Sequence, residues 1–125
     1  MAQVEQALQT KKYKIVTITH VDTSTGARVF PSLCWDTSDC RFPSGVLSDP
    51  QVVADAVKRV SPETLVVLDA VCAVASEEIQ MDNWGIDVVI TASQKGLGAP
   101  PGLSIVIASQ KAMKVGSFCG RLGAM

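Results

Sequence analysis

Apolar residues recur with two different periods along this chain, and the switches between them mark out its elements. Val4, Ala7 and Leu8 stand at helical spacing, which predicts a helix over residues 3–11 that starts abruptly. Residues 14–19 then alternate and are rich in β-branched side chains, the pattern of a strand, and residues 20–26 read as the turn that follows. Ser48-Asp49-Pro50-Gln51 announces a second helix. Either Ser48 and Gln51 form a capping box, or Asp49 caps and Pro50 is the first helical residue. Val52, Val53, Ala56, Val57 and Val60 share one face of this helix, Asp55, Lys58 and Arg59 the other, and Ser61-Pro62 ends it.

Residues 65–68 are continuously apolar, which predicts a parallel strand covered on both faces. Residues 87–91 and 104–108 are two further strands, separated by a turn that carries a lysine, and Ser109 caps a last helix through Lys114. Strands alternating with helices predict an α/β sheet. Open sheets of that kind bind ligands beyond the carboxyl ends of their strands, where Asp69 and the group Ser93-Gln94-Lys95 both fall.

Composition narrows the classes of function. With 125 residues the chain is long enough for one modest core and too short for two. At 47% hydrophobic and 18% charged residues it reads as globular rather than disordered. A net charge of −1 gives no electrostatic case for nucleic acid or for an anionic membrane. Apolar runs stay well short of the roughly 20 residues that span a bilayer. The first residues resemble neither a secretion signal nor a mitochondrial presequence, and the last ones are no peroxisomal address. Cys34, Cys40, Cys72 and Cys119 lack Cys-x-x-Cys spacing and His20 is the single histidine, so neither a zinc site nor disulfides are expected.

The chemistry concentrates in Thr91-Ala92-Ser93-Gln94-Lys95-Gly96-Leu97-Gly98-Ala99-Pro100-Pro101-Gly102. Here a lysine sits in a small-residue turn straight after an apolar run. Burial and polar neighbours lower a lysine's pKa, and the neutral amine can then form a Schiff base with a carbonyl. Asp69, at the end of the 65–68 run, supplies a second group. A lysine Schiff base with an aspartate on the pyridinium nitrogen is how proteins hold pyridoxal phosphate. Asp69 also suits the commoner task of capping the turn after its strand. Gly98 and Gly26 allow unusual backbone angles, and Pro100-Pro101-Gly102 sets the start of the next strand.

Four ordered motifs carry a family resemblance. They are His20-Val21-Asp22-Thr23-Ser24-Thr25-Gly26, Val67-Leu68-Asp69-Ala70-Val71, Trp84-Gly85-Ile86-Asp87, and Ser93-Gln94-Lys95 with Pro100-Pro101-Gly102. Over about residues 4–114 the chain resembles the class V, fold-type I aminotransferases of the alanine–glyoxylate and serine–pyruvate type. The resemblance implies part of a large cofactor domain, a mostly parallel sheet with flanking helices. It implies pyridoxal 5'-phosphate as cofactor, with amino acids and 2-oxo acids as substrates. Lys95 would be the Schiff-base lysine and the base of the proton shift. Asp69 would pair with the pyridinium nitrogen, and Val71 would pack on the ring. Thr23 would lie at the ring's polar edge and Gln94 near the phosphate, although both could equally satisfy loop backbone. His20 reads as structural. The family is homodimeric, and peroxisomal or cytoplasmic proteins are the expectation for it.

The chain also departs from that pattern. Counterparts of an upstream glycine-rich phosphate loop, a ring-stacking aromatic and a C-terminal domain with a carboxylate-clamping arginine are not matched. Little transaminase activity and no native dimer are therefore expected of the chain by itself. Residues 27–45, which hold Phe30, Trp35 and Phe42, and residues 115–125 leave the family pattern and read as non-homologous sequence. Sibling chemistries, cysteine desulfuration and phosphoserine transamination, are the nearest enzymatic alternatives. A chain that merely folds, without catalysis, is the alternative from another class.

Overall fold

The computed structural model describes residues 2–22 and 46–115. The proposed insertion at 27–45, the site candidate Thr23 and residues 116–125 lie outside them. The elements are α1 (Ala2–Thr10), β1 (Ile15–Thr19), β2 (Val21–Asp22), β3 (Val46–Leu47), α2 (Pro50–Val60), β4 (Leu65–Asp69), β5 (Val88–Ala92) and β6 (Ser104–Ala108). Residues 110–115 are helical as well. Four strands form one sheet in the order β1-β4-β5-β6. β1, β4 and β5 run parallel, and β6 returns antiparallel beside β5.

α2 is the crossover between β1 and β4. Its start is decided in favour of Asp49, whose carboxylate accepts the Val52 N–H at 3.1 Å, with Pro50 opening the helix. Ser48 is instead buried against β1. Its hydroxyl donates to the carbonyls of Thr19 and His20, so the capping-box alternative does not form. Ser61 closes the helix by donating its N–H to the Val57 carbonyl. Ser109 caps the helical segment 110–115 through the Ala112 N–H at 3.2 Å. The segment after β1 is not only a turn: Val21 and Asp22 pair antiparallel with Leu47 and Val46. That ladder joins residues far apart in sequence, which a local periodicity cannot reveal.

The core lies on one side of the sheet. Ile18, Leu68, Val89 and Ile107 form one row across the four strands. The first three belong to a buried cluster with Leu8 of α1, Ala54 and Val57 of α2, and Ala73 and Ile86 of the β4–β5 crossover. Leu68 and Val57 are fully buried. Side chains alternate across a strand, so Thr17, Val67, Val88 and Ala108 form a row on the other face. No described element covers that face, and Val106 is 60% exposed on it. Among the described residues α1 and α2 pack on one side of β4. On its other face Leu65 is buried, Val67 half-buried and Asp69 exposed, so the cover expected on both faces is complete on one and fades toward the carboxyl end on the other.

The Trp84-Gly85-Ile86-Asp87 motif closes the amino-terminal edge of the sheet. Asp87 is buried, and its carboxylate accepts the Val66 N–H at 2.9 Å and the Lys58 ammonium at 3.2 Å. Its own N–H donates to the Val66 carbonyl and its carbonyl accepts the Ser109 N–H, so one residue ties β4, β5 and the segment after β6 together. Gly85 has φ of 66°, and a Cβ there would stand 3.1 Å from Lys58 Cε. The glycine therefore both makes the turn and lets the lysine stem pass to Asp87.

Candidate functional site

The parallel strands bring three chain segments to one edge. His20 follows β1, Asp69 ends β4, and the Lys95 loop leaves β5, all at the carboxyl ends of their strands. That placement follows from the parallel register, Thr19 beside Asp69 and Asp69 beside Ile90. Asp69 stands on the open face in the row Thr19–Asp69–Ile90–Val106.

Asp69 is exposed, and its Oδ1 accepts the Val71 N–H at 3.2 Å. The turn-capping role is therefore real. The second oxygen, Oδ2, takes no hydrogen bond from the described residues and is available to an outside donor. Val71 is half-buried, and it opens a turn instead of continuing an extended chain. The turn winds on through the Ala73 and Val74 N–H groups to the Ala70 carbonyl. Ala75 then takes the left-handed conformation, with φ of 68°.

The Lys95 loop is held shut at its base by Ser93, which is buried. Its N–H donates to the Leu103 carbonyl and its carbonyl accepts the Ala99 N–H. The Ser93 hydroxyl donates to the Pro100 carbonyl at 2.7 Å. Nothing in the local pattern assigns Ser93 this task beyond its being a small hydroxyl residue just past a strand, ahead of a Pro-Pro-Gly return. Inside the loop the Gly98 N–H donates to the Lys95 carbonyl, and Gly98 takes φ of 65° as its expected freedom requires. Gly96 touches the turn after Asp69: a Cβ there would fall 2.2 Å from the Val74 carbonyl oxygen. The segments bearing Asp69 and Lys95 are therefore packed backbone to backbone.

Lys95 and Gln94 are both exposed. The buried setting expected for a nucleophilic lysine is not supplied by the described residues, because the loop projects beyond the covered face. Thr23 cannot be placed. His20, read from sequence as structural, is 4% exposed with its ring edge-on to Trp84, centroids 6.5 Å apart. Burial pushes its pKa below the ordinary value of 6.5, against the fields of Glu77 and Asp49. Among the described residues no group of three or more His, Cys, Asp or Glu could hold a metal, and no helix is long and apolar enough to cross a membrane. Cys72 is free and half-buried.

The α/β fold with its mostly parallel sheet is that of the fold-type I pyridoxal-phosphate transferases. Residues 43–121 match the family model described as aminotransferase class-V, and the chain belongs to that family. It is 42% identical over 110 residues to alanine–glyoxylate aminotransferase 1 of Saccharomyces cerevisiae, spanning 88% of this chain and 24% of that protein. It is 38% identical over 71 residues to serine–glyoxylate aminotransferase of Arabidopsis thaliana, spanning 57% of this chain and 18% of that one. The crystal structure of alanine–glyoxylate aminotransferase from Nostoc sp. superposes with a TM-score of 0.68 at 27% identity, over 91% of this chain and 25% of that chain. The chain spans about a quarter or less of the length of these relatives, 24% for the yeast protein.

Proposed function

We propose that this chain carries the lysine and aspartate of a pyridoxal-phosphate-dependent transaminase site of the alanine–glyoxylate or serine–pyruvate type. The observation that supports this best is the packing of the Lys95 loop onto the turn that follows Asp69. The donor set fits the cofactor. Lys95 offers an amine to a carbonyl, Asp69 Oδ2 offers an unshared acceptor to a ring N–H, and the exposed Gln94 amide can donate to a phosphate oxygen. Thr23 and Val71 complete the proposed set. When bound, the pyridoxal ring supplies an electron sink for breaking a bond at the substrate's α-carbon.

In this reading Asp69 stabilises a positive charge at the ring nitrogen, and the Lys95 amine moves a proton at the α-carbon. Substrates are an amino acid and a 2-oxo acid. Part of the proposed work is left undone by the described residues. Asp69 and Lys95 both meet water, so neither exclusion of solvent nor a fixed substrate pose is provided. By itself the chain is a poor transaminase.

The test is cofactor capture. After incubation with pyridoxal phosphate and borohydride reduction, peptide mass spectrometry should find one stoichiometric adduct on Lys95 that is lost in Asp69→Ala. Labelling spread over several surface lysines, or unchanged in Asp69→Ala, overturns the assignment. A sibling desulfurase would be revealed by release of sulfide from cysteine.

A further inference from the structure

We propose that His20 is a proton-sensitive positioning residue: with a neutral ring it holds the carboxyl ends of β1 and β4 together, and uptake of a proton releases the segment that presents Asp69. The consequence for Asp69 rests on the function proposed above, but the switch itself can be tested without it.

His20 stands at a junction. Its N–H donates to the Asp69 carbonyl at 3.0 Å. Its carbonyl accepts the Ser48 N–H at 2.8 Å and the Ser48 hydroxyl at 3.2 Å. One residue thereby joins the end of β4 to Ser48, just before the cap of α2, beside the Thr19–Asp69 pair in the ladder. His20 is 4% exposed, and its buried Nδ1 has no hydrogen-bond partner among the described residues. A cationic ring needs an acceptor at both nitrogens. At Nδ1 it has none, so a proton there can be kept only if the ring moves toward water. That movement pulls on the His20 main chain and on both bonds it makes.

The charged groups whose fields reach the ring are Glu77 on the β4–β5 crossover and Asp49 at the cap of α2. Both favour the cation, yet desolvation outweighs them and the folded-state pKa lies below 6.5. The sign follows. Between the folded and unfolded values the opened chain binds more protons than the closed one, so closure is complete above about pH 6.5 and weakens as pH falls. Each pH unit in that window raises the opening constant by at most about tenfold. Opening need involve only the strand ends, which are the part of a sheet easiest to open locally.

Trp84 provides the readout, because its indole meets the His20 ring edge-on and its surroundings change when that ring moves. In a Trp35→Phe background it is the remaining tryptophan of the two in the chain. Its emission should change between about pH 8 and about pH 5 with a midpoint below the ordinary histidine value. Hydrogen exchange, corrected for intrinsic rate, should rise over residues 66–72 in the same window. Both responses should vanish in His20→Phe and in His20→Gln. If both variants fail to fold, the wild-type titration still decides. Flat emission, a response that persists in the variants, or exchange rising equally through the whole sheet overturns the proposal. A Trp84 response without any Lys95 adduct keeps this inference and removes the proposed function; an adduct without a response does the reverse.

Discussion

Replacing Asp87 with alanine should cost this fold about 2–4 kcal/mol, most of it from one stranded backbone donor. The carboxylate is buried and accepts the Val66 N–H at 2.9 Å. Removing it leaves that donor unsatisfied in the sheet, at about 1–3 kcal/mol. Two ammonium groups also lose their partner, Lys58 at 3.2 Å and Lys111 at 3.8 Å. Their side chains are 30% and 36% exposed, so water screens them and each pair adds no more than about 1 kcal/mol. Asp87→Asn separates the two contributions. Its amide oxygen can still accept from Val66 while the charge is gone, so its loss should be about 1–2 kcal/mol. Urea denaturation followed by circular dichroism measures both, with the midpoint shifting and the slope unchanged. Equal costs for alanine and asparagine would show that charge, not the Val66 acceptor, governs the site. A cost below about 1 kcal/mol for alanine would refute the argument altogether.

Other expectations follow from the same geometry. Asp49→Ala should destabilise by about 1 kcal/mol through the lost Val52 cap, and Asp49→Asn much less, read as midpoint shifts in the same titration. Leu68→Ala, in the fully buried centre of the sheet, should cost about 2–5 kcal/mol, whereas Val106→Ala on the open face should stay within about 0.5 kcal/mol. Equal costs at these two positions would mean that the open face is packed after all.

The positions of α2, β4 and β6 were legible in the sequence because each is written in local chemistry, and β5 was legible to within one residue, Val88–Ala92 against the expected 87–91. Asp49-Pro50 starts a helix, Ser61-Pro62 stops one, and β-branched runs prefer a pleated surface. Lys95 and Asp69 stand out as candidates for a different reason: they lie in motifs that resemble the family's, and the structure places both at strand ends, where α/β sheets hold ligands. The choice between Ser48 and Asp49 as cap was not, since either residue type can accept from a helix N–H. It was settled when Ser48 found better partners in the carbonyls of Thr19 and His20. Nor could Ser93, Gly96 or Asp87 be given their tasks, because each acts on a segment remote in sequence.

The sequence by itself determined the element types and the α/β class and singled out the candidate site residues, because periodicity, caps and motifs are short-range properties. Tertiary structure alone decided the strand order, the pairing of β2 with β3 and the packing of Gly96 against Val74. Among the described residues it alone buried His20 with an unpaired nitrogen and left Asp69 exposed on its face of the sheet. Those outcomes depend on which surfaces meet, and a linear pattern states that a face is apolar without stating what covers it.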